Sequence, residues 1–122
     1  MNRPISRKGH GLAEWSYIPL TALSPEIMRF KDDPKATTFA RVLSGLMLSS
    51  AVLTKSEWGV FKVLPFKAHL AGDVAISLAS VMAPWIGRFS EDKRARNTFL
   101  FLGISGLLIG GLLTQWKEMK RD

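Results

Sequence analysis

Cysteine is absent from the 122 residues, which removes disulfides, thiolate metal sites and cysteine nucleophiles from the chemistry open to this chain. Histidine is nearly absent, with two residues, so a metal cage built from imidazoles alone is excluded. Acidic residues are the minority charge, 10 against 17 Lys and Arg. The resulting net charge of +7 would suit nucleic acid or an anionic surface, and the placement of the basic residues separates the two. They fall into five clusters, at the N-terminus, 29–41, 55–67, 88–96 and 117–121, with apolar runs between them. Membrane helices are flanked in this way, whereas a nucleic-acid module gathers its basic residues on one face. Nucleic acid is therefore not an expected partner. The chain also lacks a Gly-rich phosphate loop, a nucleophile elbow, paired catalytic carboxylates and a metal-ligand cluster, so neither an enzyme nor a bound cofactor or metal is expected. A cleavable signal peptide is not expected either. Glu14, Pro19 and Glu26 interrupt the segment that follows the basic start, where a clean apolar core would be needed.

What the chain does contain is one pattern written twice. His10 to Phe30 recurs 59 residues later as His69 to Phe89, with Glu14 on Asp73, Thr21 on Ser80, Pro25 on Pro84, Arg29 on Arg88 and Phe30 on Phe89. With one extra residue assigned to the second turn, the match resumes with Phe39 on Phe99 and Leu53-Thr54 on Leu113-Thr114. The expected fold is all-α, a four-helix transmembrane bundle of two parallel repeats of a helical hairpin, with a pseudo-two-fold along the membrane normal.

In chain order, residues 1–9 read as a basic, mobile N-terminal arm. The first hairpin, 10–54, holds helices over 11–28 and 37–53. A connector, 55–67, mixes Trp58, Phe61 and Phe66 with lysines, as interfacial segments do. The second hairpin, 68–116, holds a helix from about 65 to 87 and another after the charged turn at 90–96, and residues 117–122 form a charged tail. Asn97 to Trp116 is an uncharged run of 20 residues, enough to cross a hydrocarbon core about 30 Å thick. The first helix would not qualify by hydropathy alone; its assignment rests on the repeat. Gly45/Ser49 and Gly106/Gly110 form small-residue strips, expected to join the second and fourth helices or to face another copy. Trp58, Trp85 and Trp116 read as interface anchors. Glu26 is expected to pair with Arg29 three residues on. Nine Lys and Arg on the side of the termini and connector, against eight in the hairpin turns, place both termini in the cytoplasm by the positive-inside rule.

Two sets of polar residues invite a chemical reading. His10 and Glu14, like His69 and Asp73, are four apart and share a helix face. They can relay protons, hold a metal ion or contact a cofactor where the pairs meet; alternatively the acids offset helix dipoles while the histidines sit among headgroups. Pro25 and Pro84 free the carbonyls of Thr21 and Ser80, setting a hydroxyl beside an open carbonyl. That combination either binds a cation or water, or is satisfied locally.

Ala83-Pro84-Trp85, preceded by His69 and Asp73 and followed by Phe89, resembles the SPW-repeat family of small bacterial membrane proteins. The first copy reads Ser24-Pro25-Glu26, so each copy departs from Ser-Pro-Trp at one position. The resemblance implies two hairpins in the bacterial inner membrane, with no established activity to carry over. Two functions are open: a non-enzymatic scaffold or accessory subunit, packing against lipid and against other membrane subunits or itself, or a small proton- or cation-linked carrier or cofactor-binding module using His10, Glu14, His69 and Asp73.

Overall fold

The computed structural model describes residues 3–116; the charged tail expected at 117–122 lies outside them. Among the described residues the protein is all-helical: α1 (Arg7–Ile27), α2 (Pro34–Leu53), α3 (Phe66–Ile86) and α4 (Lys93–Gly106), the last running on as a π-helical segment, Leu107–Leu113. The helices pair as α1 with α2 and α3 with α4, and α2 also packs on α3.

The landmark Arg-Phe pairs mark how α1 and α3 end. Arg29 and Arg88 adopt left-handed backbone, φ 60° and 59°, and the next N–H reaches back to a proline carbonyl, Phe30 to Pro25 at 2.9 Å and Phe89 to Pro84 at 2.8 Å. This is the Schellman closure, in which the residue after the left-handed one buries an apolar side chain. Phe30 and Phe89 are buried accordingly. Asp33 and Asp92 then cap the next helices, each accepting from the N–H three residues on, at 3.2 Å, a bond that supplies an otherwise orphaned helical donor with a partner. Pro34 follows Asp33 at the first helical position, where its missing N–H costs nothing.

The two turns are equal in length, so the extra residue of the second hairpin is not in its turn. Thr54 lies 21 residues after the Asp33 cap and Thr114 lies 22 after Asp92; the π-helical segment absorbs the difference. Its widened turn is visible at Thr114, whose hydroxyl donates to the carbonyl of Ile109 five residues back, where Thr54 donates to Ser50 four back at 2.5 Å.

The arm expected at 1–9 is docked from Arg3 onward. Arg3 donates to the carbonyls of Gly111 and Thr114, Ile5 exchanges backbone bonds with Leu113 and Gln115, and Ser6 caps α1 through the Gly9 N–H. Those carbonyls belong to the end of a helix and need donors, which explains the docking. The connector serves the end of α2 in the same way, its N–H groups at 60, 61, 63 and 64 bonding the carbonyls of Val52 and Leu53. Trp58 donates to the Lys8 carbonyl at 2.8 Å and lies over Gly11, where a Cβ would collide with its ring.

The helix-packing expectation is corrected. Gly106 and Gly110 face α3 within their own hairpin, against Ser77 and Asp73, and Gly103 packs on Val81 and the Ser77 carbonyl. Gly45 and Ser49 are exposed, and nothing lies within 4 Å of a Cβ placed on Gly45. A hairpin brings its two helices closest, so the close approach that glycine permits is used there. Glu26 is also re-paired: its carboxylate meets Arg41 of α2 at 2.6 Å and 2.9 Å, and no bond joins it to Arg29.

Outside and inside are apportioned as in a membrane protein. α2, α3 and Lys93–Leu113 are long and apolar enough to span a bilayer. Leu46, Val42, Met82, Trp85 and Phe101 are exposed. The apolar core lies at the turn end, where Phe89 and Phe99 have ring centroids 5.1 Å apart and Phe30 and Phe99 6.2 Å. The interior at the other end is polar.

Candidate functional site

That polar end is where the two halves of the chain meet. His10, Glu14, His69 and Asp73 are all buried, at 3, 8, 2 and 7% exposure. Their helical spacing of four turns each pair inward. Glu14 and Asp73 sit two turns inside their helices, so neither offsets a helix terminus, and the histidines are enclosed by protein and do not reach headgroups.

Asp73 is the hub. Its Oδ2 lies 2.8 Å from His10 Nε2 and 3.0 Å from His69 Nε2. Glu14 stands further off, 3.8 Å from His10 and 3.9 Å from His69, and its Oε1 is buried with no hydrogen-bond partner. Each ring is then held from behind by a threonine of the other hairpin. His10 Nδ1 is 3.1 Å from Thr114 Oγ1, and His69 Nδ1 is 2.7 Å from both Thr54 Oγ1 and Ser50 Oγ. Both threonine hydroxyls already donate to helix carbonyls, so their oxygens accept from the rings. Each Nδ1 therefore carries a proton, and each Nε2 is the atom turned to the shared point. Phe66 closes the site, stacked on His69 at 6.1 Å and edge-on to His10 at 5.8 Å.

Below the cluster a cavity of about 50 Å³ runs between α1 and α3, enough for a few waters. Tyr17, Thr21, Ser77 and Ser80 line it, spaced to continue the polar face of the two helices. Tyr17 bonds Ser105 of α4, while the Thr21 hydroxyl is buried without a partner.

The proline sites differ from each other. Ser24 donates to the Thr21 carbonyl freed by Pro25, at 2.8 Å, so that carbonyl is satisfied locally. The Ser80 hydroxyl crosses to the carbonyl of Phe99 in α4 at 2.9 Å. Among the tryptophans, Trp85 is 55% exposed and Trp58 38%, while Trp116 donates to the Gly111 carbonyl at 3.2 Å. The residues the sequence did not single out for the site are Thr54, Thr114, Ser50 and Phe66. The two threonines carried a signal, since they match each other at the end of each hairpin.

No family model, curated protein or solved structure matches this chain. The site has to be read from its own chemistry.

Proposed function

We propose that this chain is a four-span membrane protein in which two copies of one hairpin, related by an axis along the membrane normal, close on a buried cation site. On this reading it works as a small proton- or cation-linked module. The observation that carries it is the convergence of two imidazoles and two carboxylates, drawn from both halves of the chain, at one buried point. Ionisable groups in a membrane interior are costly, and packing alone requires none of them. The unpartnered Glu14 oxygen and the cavity beneath the cluster, where the hydroxyls of Tyr17, Thr21, Ser77 and Ser80 stand among apolar side chains, fit a place where a cation arrives and leaves.

The fourth span is α1, whose mean hydropathy is lowered by the polar face it turns inward. Its other face exposes Leu12, Leu20, Leu23 and Ile27, a surface suited to lipid. With α1 counted as a span, both termini lie on one side, the cytoplasmic side of a bacterial inner membrane as the charge count and the SPW-repeat resemblance imply.

The scaffold reading rests on a different observation, the open strip at Gly45 and Ser49. It governs partners and leaves the buried cluster unexplained.

The test is the stability of the purified full chain in mild detergent as pH and added cations are varied, since anything that binds the folded state raises its melting temperature. The wild type should respond, and Glu14→Gln combined with Asp73→Asn should flatten the response. The same dependence in wild type and double variant would refute a cation site in this cluster.

A further inference from the structure

We infer that the cluster binds one divalent transition-metal ion of the zinc class, with His10 Nε2, His69 Nε2, Asp73 and Glu14 as its four donors. The inference rests on the cation-site reading above and names the cation.

Three observations carry it. The first is orientation. Thr114 and Thr54 hold the Nδ1 side of each ring, leaving Nε2 to face the carboxylates. Metal-binding histidines are held in this way, with the outer nitrogen donating to a fixed oxygen and the inner one free to coordinate. At 2.8 Å and 3.0 Å from the Asp73 carboxylate, each Nε2 faces a proton or a metal ion and not a bare oxygen, and a metal that binds there takes the place of the ring proton.

The second is size. The four donor atoms lie within 4.8 Å of one another. A tetrahedral ion with bonds of about 2.0–2.2 Å separates its ligands by about 3.3–3.6 Å. The contacts to Asp73 are a few tenths of an ångström shorter than this, and the Glu14 contacts at 3.8 Å and 3.9 Å slightly longer. Drawing the glutamate in while the aspartate eases back requires side-chain motion only, and the unpartnered Glu14 Oε1 has no bond to give up.

The third is charge and ligand type. Ligation by two imidazoles and two carboxylates displaces the protons of the set, and the ligands then carry two negative charges between them. One divalent ion neutralises them, and a monovalent ion does not. Two nitrogens among four donors disfavour calcium and magnesium, which take oxygen, and the donor set has no sulfur to select copper(I).

The experiment strips the purified full chain with a chelator in mild detergent and titrates Zn²⁺ alone, measuring bound metal by elemental analysis after dialysis. In parallel, Co²⁺ is added as a spectroscopic probe of four-coordinate geometry. One ion per chain is expected, with Asp73→Asn losing stoichiometric binding and Thr114→Val weakening it about 10- to 100-fold through the ring it holds. Because the wild type is itself titrated, misfolding of a variant cannot mask the result. No saturable binding by wild type overturns the inference, as does binding unchanged in both Asp73→Asn and the His10→Gln, His69→Gln double variant. Should zinc fail to bind while the pH response of melting still depends on Glu14 and Asp73, the metal assignment falls and a proton is the cation; if that response is absent too, the cation-site reading falls with it.

Discussion

Asp73→Asn is the substitution on which the architecture of the cluster is most exposed. Asp73 Oδ2 lies within hydrogen-bond distance of both imidazoles in the metal-free protein, at 2.8 Å and 3.0 Å, and accepts from each Nε2 that carries a proton. Hydrogen bonds to a charged group contribute about 1.5–3 kcal/mol each and neutral ones about 0.5–1.5. The asparagine oxygen can accept in place of the carboxylate, so about 2–3 kcal/mol of stability should be lost from the metal-free protein. Replacing all four residues with apolar ones of similar volume, His10→Phe, Glu14→Leu, His69→Phe and Asp73→Leu, should cost less than that single change. A buried ionic set replaced as a whole removes its own desolvation penalty, whereas removing one member strands the others. Equilibrium unfolding of the chelated protein in mixed micelles, followed by tryptophan fluorescence, compares the two. Were the fourfold variant destabilised by several times the Asp73→Asn cost, or Asp73→Asn unchanged, the four side chains would not form one interdependent set.

The packing correction predicts opposite signs at two glycines: Gly103→Ala should destabilise by about 1–3 kcal/mol, since its Cβ would crowd the Ser77 carbonyl, while Gly45→Ala should stabilise by up to about 1 kcal/mol, since its Cβ meets nothing; both are read by the same unfolding assay. Arg29→Gly and Arg88→Gly relieve left-handed backbone and should stabilise by up to about 1 kcal/mol in that assay, because the gain slightly exceeds the added freedom of the unfolded chain. In the connector, the hydrogen bond from Arg7 at 2.6 Å holds the Glu57 carboxyl below its usual range. A depressed carboxylate contributes stability above its unfolded pKa and loses it as pH falls through the folded one. The protection factors of the amides at residues 55–64, exchange rates taken relative to the intrinsic rate at each pH, should therefore fall on acidification in wild type and be less sensitive to pH in Glu57→Gln.

Much of the fold is legible along the chain because its determinants are local. The Arg-Phe pairs, the Asp caps and Pro34 act within a few residues of themselves, and the uncharged run from Asn97 to Trp116 announces a membrane-crossing helix by length, whereas the uncharged run of α2 is short until the helix that holds it is seen whole. Periodicity of four also put each histidine on one face with its acid. The extra residue of the second hairpin was misplaced in the turn because sequence matching assigns a gap to the most variable loop. A π-helical turn hides one residue without breaking the apolar pattern. The small-residue strips were legible as strips but not as contacts, since one glycine face looks like another until the helices are set side by side. The N-terminal arm looked mobile because nothing local orders it; the carbonyls that hold Arg3 and Ile5 lie more than a hundred residues away.

By itself, then, the sequence determined four helices, two chain reversals, an apolar exterior for at least three spans, and the position of every ionisable group along its helix. Tertiary structure decided that His10 and His69 share one carboxylate, that each ring is fixed by a threonine from the opposite hairpin, and that Glu14 is left with an oxygen unused. Spacing along a helix fixes a residue's height and face, but the rotation and separation of helices come from packing. A site made of four residues from two helices exists only once that packing has been chosen.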